Sequence, residues 1–130
     1  MIPMRRALLA AALLLLPALA VASPRWLGEA PDRPPARIVT LAPSLSAIVI
    51  DLGAAERLVG VSRYDDAPEV EALPRVGGFL DPAPEAILRL EPDLILAQPS
   101  PGNRGAVERL AALGVPVLVV RLDTVEQTLE

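Results

Sequence analysis

The chain has 130 residues, of which 52% are hydrophobic and 22% charged, and its formal net charge is −4. With no cysteine and no histidine, it cannot form disulfides, the usual zinc or copper sites, or Ser-His-Asp and Cys-His catalytic units. An acidic balance without a basic cluster argues against nucleic acid and anionic membranes as partners.

Residues 1–22 have the pattern of a secretory signal peptide. Arg5 and Arg6 precede an apolar run over residues 7–22, and Ala20-Val21-Ala22 forms a signal-peptidase site, so we expect export with cleavage near Ala22. The run is shorter than the roughly 20 apolar residues of a membrane-spanning helix, although an uncleaved N-terminal anchor is the alternative. Two arginines leave with the signal, so the remaining 108 residues carry a net charge of −6 and suffice for one domain.

The exported part begins with a leader and continues with alternating strand and helix patterns. Residues 23–36 are rich in proline and lack periodicity, which predicts a flexible leader. Apolar runs predict strands at 37–42, 57–62, 93–97 and 115–120. Helical spacing predicts helices from an N-cap at Ser44 to Gly53, from Pro84 to 90, from 103 to Gly114, and from 124 onwards. This order predicts an α/β fold, a Rossmann-like lobe with a mostly parallel four-stranded sheet flanked by helices.

The segment 61–82 separates the second strand from the next helix and has no regular pattern. It holds Tyr64 and Phe79, the only tyrosine and the only phenylalanine of the chain. Loops after parallel strands emerge at the carboxyl edge of the sheet, where open α/β proteins bind ligands. Tyr64 and Phe79, together with Gly78, are candidates for ligand contact, since aromatic faces suit flat ligands and glycine allows close approach. The alternative is that both rings fill the domain's own core.

Carboxylates near the same edge allow other interpretations. Asp65 and Asp66 form either a metal pair or a solvated turn, and with Asp81 and Glu85 they would serve an exported α/β enzyme, although their spacing supports no such enzyme. Glu85 is also explained by the preference for acidic residues in a first helical turn. We expect neither a bound metal nor a resident cofactor.

Several motifs that occur in one order identify a resemblance. "RIVTLAPS", "LGA", "LVGV", "RYDD", "LPRVGGF", "EAILRLEPDLILA" and "ALGVPVLVV" resemble the N-terminal lobe of periplasmic substrate-binding proteins of ABC importers. The similar group joins two lobes by one rigid helix and captures cobalamin, ferric siderophores or haem. The resemblance covers residues 37–130, so we expect an incomplete N-terminal lobe whose second lobe and connecting helix are absent from this chain.

The resemblance implies a monomeric periplasmic binding component that captures cobalamin (vitamin B12) or a similar metal chelate and passes it to an inner-membrane permease. It implies no enzymatic activity. Tyr64 and Asp66 match a Y-x-D motif of cobalamin-binding members, and Phe79 occupies a position commonly held by tryptophan. Backbone groups near Ser44 and Gly78 complete the expected ligand contacts, and Glu85 matches a glutamate that forms a salt bridge with a permease arginine.

Three departures from the family pattern leave the chelate open. Phe79 cannot donate the hydrogen bond of an indole, Ala67 replaces a second aromatic residue, and Ala47 replaces a common glutamate. Ferric siderophores and haem are therefore alternatives within the same class, with Tyr64 as the candidate axial ligand to haem iron. An exported enzyme using aspartate or glutamate chemistry, or a fragment without function, are alternatives outside it.

Overall fold

The computed structural model describes residues 24–122. The predicted signal peptide (1–22) and the helix predicted from residue 124 lie outside these residues. The elements are β1 (Arg25–Leu27), β2 (Ile38–Thr40), α1 (Pro43–Asp51), β3 (Leu58–Gly60), α2 (Pro84–Arg89), β4 (Leu94–Ala97), α3 (Arg104–Ala112) and β5 (Val117–Val119). Among residues 24–122, no helix has both the length and the apolar character needed to cross a membrane.

The strands form one sheet in the order β1-β5-β4-β2-β3. Strands β2 to β5 are parallel, whereas β1 pairs antiparallel with β5 and sets Trp26 opposite Leu118. The predicted α/β fold with a mostly parallel sheet is confirmed, with one strand more than the four predicted. The additional strand corrects the expectation of a structureless leader at Arg25–Leu27. Three residues between a proline and a glycine have no detectable period, and this strand forms because β5 offers it an edge.

The side chains of the strands alternate between two buried faces. On the face covered by α2 and α3, here called the α2/α3 face, Val39, Ile95 and Val117 pack with Ile87 and Leu110. On the opposite face, here called the α1 face, Ile38, Leu94 and Leu96 pack with Leu45 and Val49 of α1. Every residue of β2 and β4 is buried, which explains why these strands appear in the sequence as uninterrupted apolar runs.

Helix boundaries follow proline and glycine more closely than they follow polar caps. The prediction of Ser44 as the N-cap of α1 is wrong, because the helix begins at Pro43 with Ala42 at the N-cap and no side-chain cap. Proline fits the first helical position, since its φ is already helical and it has no N–H to satisfy. Gly53 and Gly114, with φ of +77° and +94°, follow α1 and α3 as predicted.

Candidate functional site

The segment 61–82, predicted as a loop, is ordered by backbone pairing at both of its ends. The Val61 N–H donates to Pro74 O at 3.1 Å, and the Val76 N–H donates to Val61 O at 2.9 Å. Val61, Val70 and Val76 are fully buried. The segment therefore forms two successive excursions, 62–75 and 77–82, that both start and finish at the carboxyl edge of β3.

Asp65 and Asp66 lie in different environments. Asp65 is buried, and its Oδ2 accepts hydrogen bonds from the N–H and the Oγ of Ser62 at 3.2 and 3.0 Å. Arg75 donates from Nη1 to the carbonyl of Asp65 at 3.0 Å, which closes the same turn. Asp66 is exposed. The two carboxylates thus divide into one that stabilises the turn and one at the solvent-facing rim, which favours the solvated-turn interpretation over a metal pair.

Tyr64 and Gly78, both predicted as ligand contacts, lie against each other. A Cβ atom placed on Gly78 would be 3.1 Å from Cε2 of Tyr64 and 2.6 Å from Oδ1 of Asp81, so a side chain here would displace the Asp81 carboxylate and press on the Tyr64 ring. Arg63 forms a salt bridge with Asp81, and its guanidinium carbon lies 5.7 Å from the centre of the Tyr64 ring. Tyr64 remains 64% exposed, so its ring does not fill the core.

Phe79 is half-buried, and its backbone carbonyl accepts a hydrogen bond from the Asn103 side chain. The Asn103 side chain is 1% exposed, and its Nδ2 donates to Phe79 O at 2.9 Å and to Gln98 O at 3.0 Å. Phe79 packs against the core cluster of the α1 face and also lines a cleft. The Phe79 ring therefore both fills part of the core and forms part of the cleft surface.

Asn103 is a residue of the candidate site that sequence reasoning missed. It is the N-cap residue of α3, but its side chain makes no capping hydrogen bond, because the amide is used to bridge two loops. An asparagine before a helix is ordinarily read as a cap. The sequence carries no signal for a partner 24 residues away.

A cleft of about 700 Å³ opens beside Phe79 at the carboxyl ends of β4 and β5. Its polar lining comes from three arginines, Arg25, Arg104 and Arg121, together with Gln98, Ser100, Asn103 and Glu108. Arg104 pairs with Glu108 at 2.8 Å, and the hydrogen bond and charge of Glu108 raise the pKa of Arg104 above its usual value. With three arginines against one glutamate, the lining of the cleft is basic, although the chain as a whole is acidic.

The other predicted residues are spread along the same edge. Ser44 lies in the first turn of α1, where Gln98 donates from Nε2 to its Oγ at 3.2 Å, so it adjoins the cleft through that side chain. Glu85 is exposed in the first turn of α2. Tyr64, Asp66 and Glu85 do not line the cleft. The structure therefore places Tyr64 against Gly78, Phe79 at the cleft and Ser44 next to Gln98, and it leaves Asp66 and Glu85 separate.

A sheet with its polar and aromatic side chains at the carboxyl edge defines a ligand-binding α/β lobe. The profile of the family described as "Periplasmic binding protein" matches residues 38–130. The chain belongs to this family, and the resemblance identified from the motifs is confirmed.

Relatives within the family show which ligands its similar members bind. A vitamin B12-binding protein of Yersinia pestis (strain Pestoides F) is 38% identical over 82 residues, which are 62% of this chain and 29% of that protein. The periplasmic vitamin B12 binding protein BtuF of Vibrio cholerae has a TM-score of 0.65 at 35% identity, covering 70% of this chain and 36% of that one. The periplasmic heme binding protein HutB of Vibrio cholerae has a TM-score of 0.62 at 31% identity, with coverages of 70% and 35%. The chain therefore spans about a third of the length of these relatives.

Proposed function

We propose that this chain forms one wall of a ligand cleft in a periplasmic solute-binding protein of an ABC importer, and that the ligand is cobalamin or a similar large metal chelate. The observation that carries the proposal is the exposed Tyr64 ring against Gly78, the residue that precedes Phe79, which lines the cleft. The names of the vitamin B12-binding relatives support the same ligand class.

Binding of such a ligand depends on a complementary contact surface and requires no covalent reaction. A corrin or porphyrin presents a broad conjugated face, and aromatic side chains gain both apolar burial and ring contacts against such a face. Gly78 brings the backbone close to the ligand side of the loop, and Arg63 and Asp81 hold Tyr64 from the side. The proposed role is therefore binding and release, without a catalytic step.

Haem is the second candidate, and the arginines of the cleft favour it. Arg25, Arg104 and Arg121 line the cleft, and guanidinium groups bind carboxylates in bidentate geometry. Haem carries two propionates, whereas cobalamin carries a single phosphodiester. In this alternative, Tyr64 is the residue able to ligate the iron.

The proposed partner and location follow the family. We propose export to the periplasm and delivery of the ligand to an inner-membrane permease, with Glu85 as a docking contact. Glu85 suits this role because it is exposed in the first turn of α2. We propose that the chain acts as a monomer.

Calorimetric titration with cyanocobalamin, haem, haem dimethyl ester and a ferric siderophore tests the proposal. Because the chain spans about a third of its relatives, the titration is run on the 130-residue chain and on any longer product of the same reading frame. Cobalamin as the tightest ligand supports the leading candidate. Haem bound tightly, with its dimethyl ester bound weakly, supports the second candidate. Absence of binding to all four by both proteins contradicts the proposed function.

A further inference from the structure

One ion pair joins the two excursions at the carboxyl edge of β3. Arg63 lies at the start of the first excursion (62–75), and Asp81 lies near the end of the second excursion (77–82). The Arg63 side chain donates from Nη2 to Oδ2 of Asp81, and the Arg63 N–H donates to Gly77 O at 2.8 Å. The two segments are therefore tied once through the backbone and once through the side chains.

The two residues of this ion pair are close neighbours, along the chain, of the two aromatic rings. Tyr64 follows Arg63 directly, and the guanidinium carbon lies 5.7 Å from the centre of the Tyr64 ring, within the range of a cation–π contact. Phe79 precedes Asp81 by two positions. Separation of the two charged side chains would therefore free the segment that carries one ring to move relative to the segment that carries the other.

The second excursion is held at two points that differ in exposure. Asn103 is buried and donates to the carbonyl of Phe79 at 2.9 Å. The side chains of Arg63 and Asp81 are 46% and 66% exposed. Dissolved salt screens exposed charges but has little effect on a buried, uncharged amide. A rise in ionic strength therefore weakens the attachment at Asp81 and leaves the attachment at Phe79 intact.

The fold of this region does not depend on the ion pair. Exposed ion pairs contribute little to folding stability. The core of the segment is supplied instead by Val61, Val70 and Val76, which are fully buried, and by the backbone hydrogen bonds that join residues 61, 74 and 76. The effect of the ion pair should therefore be found in the position of the Tyr64 ring and not in the free energy of unfolding.

We propose that Arg63 and Asp81 are positioning residues, which hold Tyr64 and Phe79 at a fixed separation so that the two rings contact the ligand as one surface. Because this attachment is an exposed ion pair, ligand binding weakens as ionic strength rises, even for a ligand without net charge. This inference rests on the proposed function, in which both rings contact the chelate.

The position of Tyr64 can be measured without a ligand, because the chain has one tyrosine and one phenylalanine. Selective isotope labelling gives one set of ring NMR signals for each in the full chain purified after export. From about 0.01 to 1 M NaCl the screening length falls from about 30 to 3 Å. The Tyr64 signals should then shift, and their nuclear Overhauser effects to the α-protons of Gly78 should weaken. The Phe79 signals should change less, since Asn103 holds the Phe79 carbonyl. Asp81→Asn should give the high-salt Tyr64 signals at every salt concentration.

Two further variants separate the ion pair from other changes of charge. Asp51→Asn removes an exposed carboxylate at the end of α1 and should behave as the wild type. Arg63→Lys keeps the charge and should retain the salt dependence of the Tyr64 signals. Identical Tyr64 signals in the wild type and in Asp81→Asn at low salt overturn the proposal. A midpoint of urea unfolding that is lower in Asp81→Asn than in Asp51→Asn also overturns it, because the pair would then serve folding.

Titration with cyanocobalamin, which carries no net charge, tests the consequence for binding. Over the same salt range, the affinity of the wild type should fall about two- to fivefold more than that of Asp81→Asn, the size expected for an exposed ion pair. Attraction between the arginines of the cleft and the phosphodiester is common to both proteins, so the difference reports on the ion pair. Equal losses of affinity overturn the proposal. Absence of binding by both proteins contradicts the proposed function instead, and the Tyr64 signals then decide whether the ion pair positions the ring.

Discussion

At the scale of single residues, the packing around Tyr64 depends on a glycine. The side chains of Tyr64 and Asp81 occupy the space that a Cβ on Gly78 would need, at 3.1 and 2.6 Å. Contacts this short cannot be accommodated without displacing one of the two. A side chain at position 78 would therefore change the surroundings of the Tyr64 ring.

We expect Gly78→Ala to weaken ligand binding, because the methyl group displaces either the Tyr64 ring or the Asp81 carboxylate. Gly105→Ala is the matched control, since its Cβ would meet nothing within 4 Å and alanine in a helix is more stable than glycine by about 0.5–1 kcal/mol. Calorimetry of the tightest ligand should therefore separate the two variants. Equal affinities would show that the position of the ring is not used in binding.

We expect Tyr64→Ala and Phe79→Ala each to cost about 1–3 kcal/mol of binding free energy, the range found where flat bases stack on aromatic side chains. Leu113→Ala removes an equally exposed apolar side chain, 59% exposed, near the end of α3 that is farthest from the cleft, and should leave affinity unchanged. Affinities are compared by titration. Tight binding by both aromatic variants would show that the two rings do not contact the ligand and serve only in packing.

At the scale of elements, the sequence predicted the strands and helix starts that depend on local pattern. It did not predict the features that depend on contacts between distant residues. Uninterrupted apolar runs located β2 and β4, and proline located the start of α2, because burial on both faces and a fixed φ leave marks in the sequence. Strand β1 left no such mark, since it is held by pairing with β5. The two hydrogen bonds that the Asn103 side chain donates were also missed, because one of them joins residues 24 positions apart.

We expect Asn103→Ala to destabilise the fold by about 1–3 kcal/mol, because two carbonyl acceptors at a buried position lose their donor. Asn103→Asp keeps the shape but has no N–H groups, so it should be at least as damaging. Urea unfolding measures the stability, and titration measures the accompanying loss of ligand affinity. Wild-type stability in both variants would mean that water replaces the two hydrogen bonds of Asn103 without loss of folding free energy.

At the scale of the whole molecule, the proposed ligand cleft and the proposed permease contact lie on separate surfaces. The cleft lies at the carboxyl ends of β4 and β5 and does not include Glu85, which is exposed on α2. Motif order predicted the family. The arginines of the cleft were not predicted, because Arg25, Arg104 and Arg121 are far apart in sequence and meet only through the sheet topology.

We expect Glu85→Gln to leave ligand affinity unchanged and to reduce association with the permease in proteoliposomes, since the substitution removes one exposed charge. Glu91→Gln, which removes an exposed charge just beyond the end of α2, is the control and should leave association intact. Normal association of the Glu85 variant would contradict the docking role. The carboxylate would then be explained by the preference for acidic residues in a first helical turn.

The double hydrogen bond of Asn103 has a consequence for the thermodynamics of capture. Since one amide joins the carbonyls of Phe79 and Gln98, the loop that carries the ring is already ordered before any ligand arrives. A preorganised contact surface loses less conformational entropy on binding than a mobile one. In the proposed site, the free energy of the contact between Phe79 and the ligand is therefore offset less by the ordering of the loop.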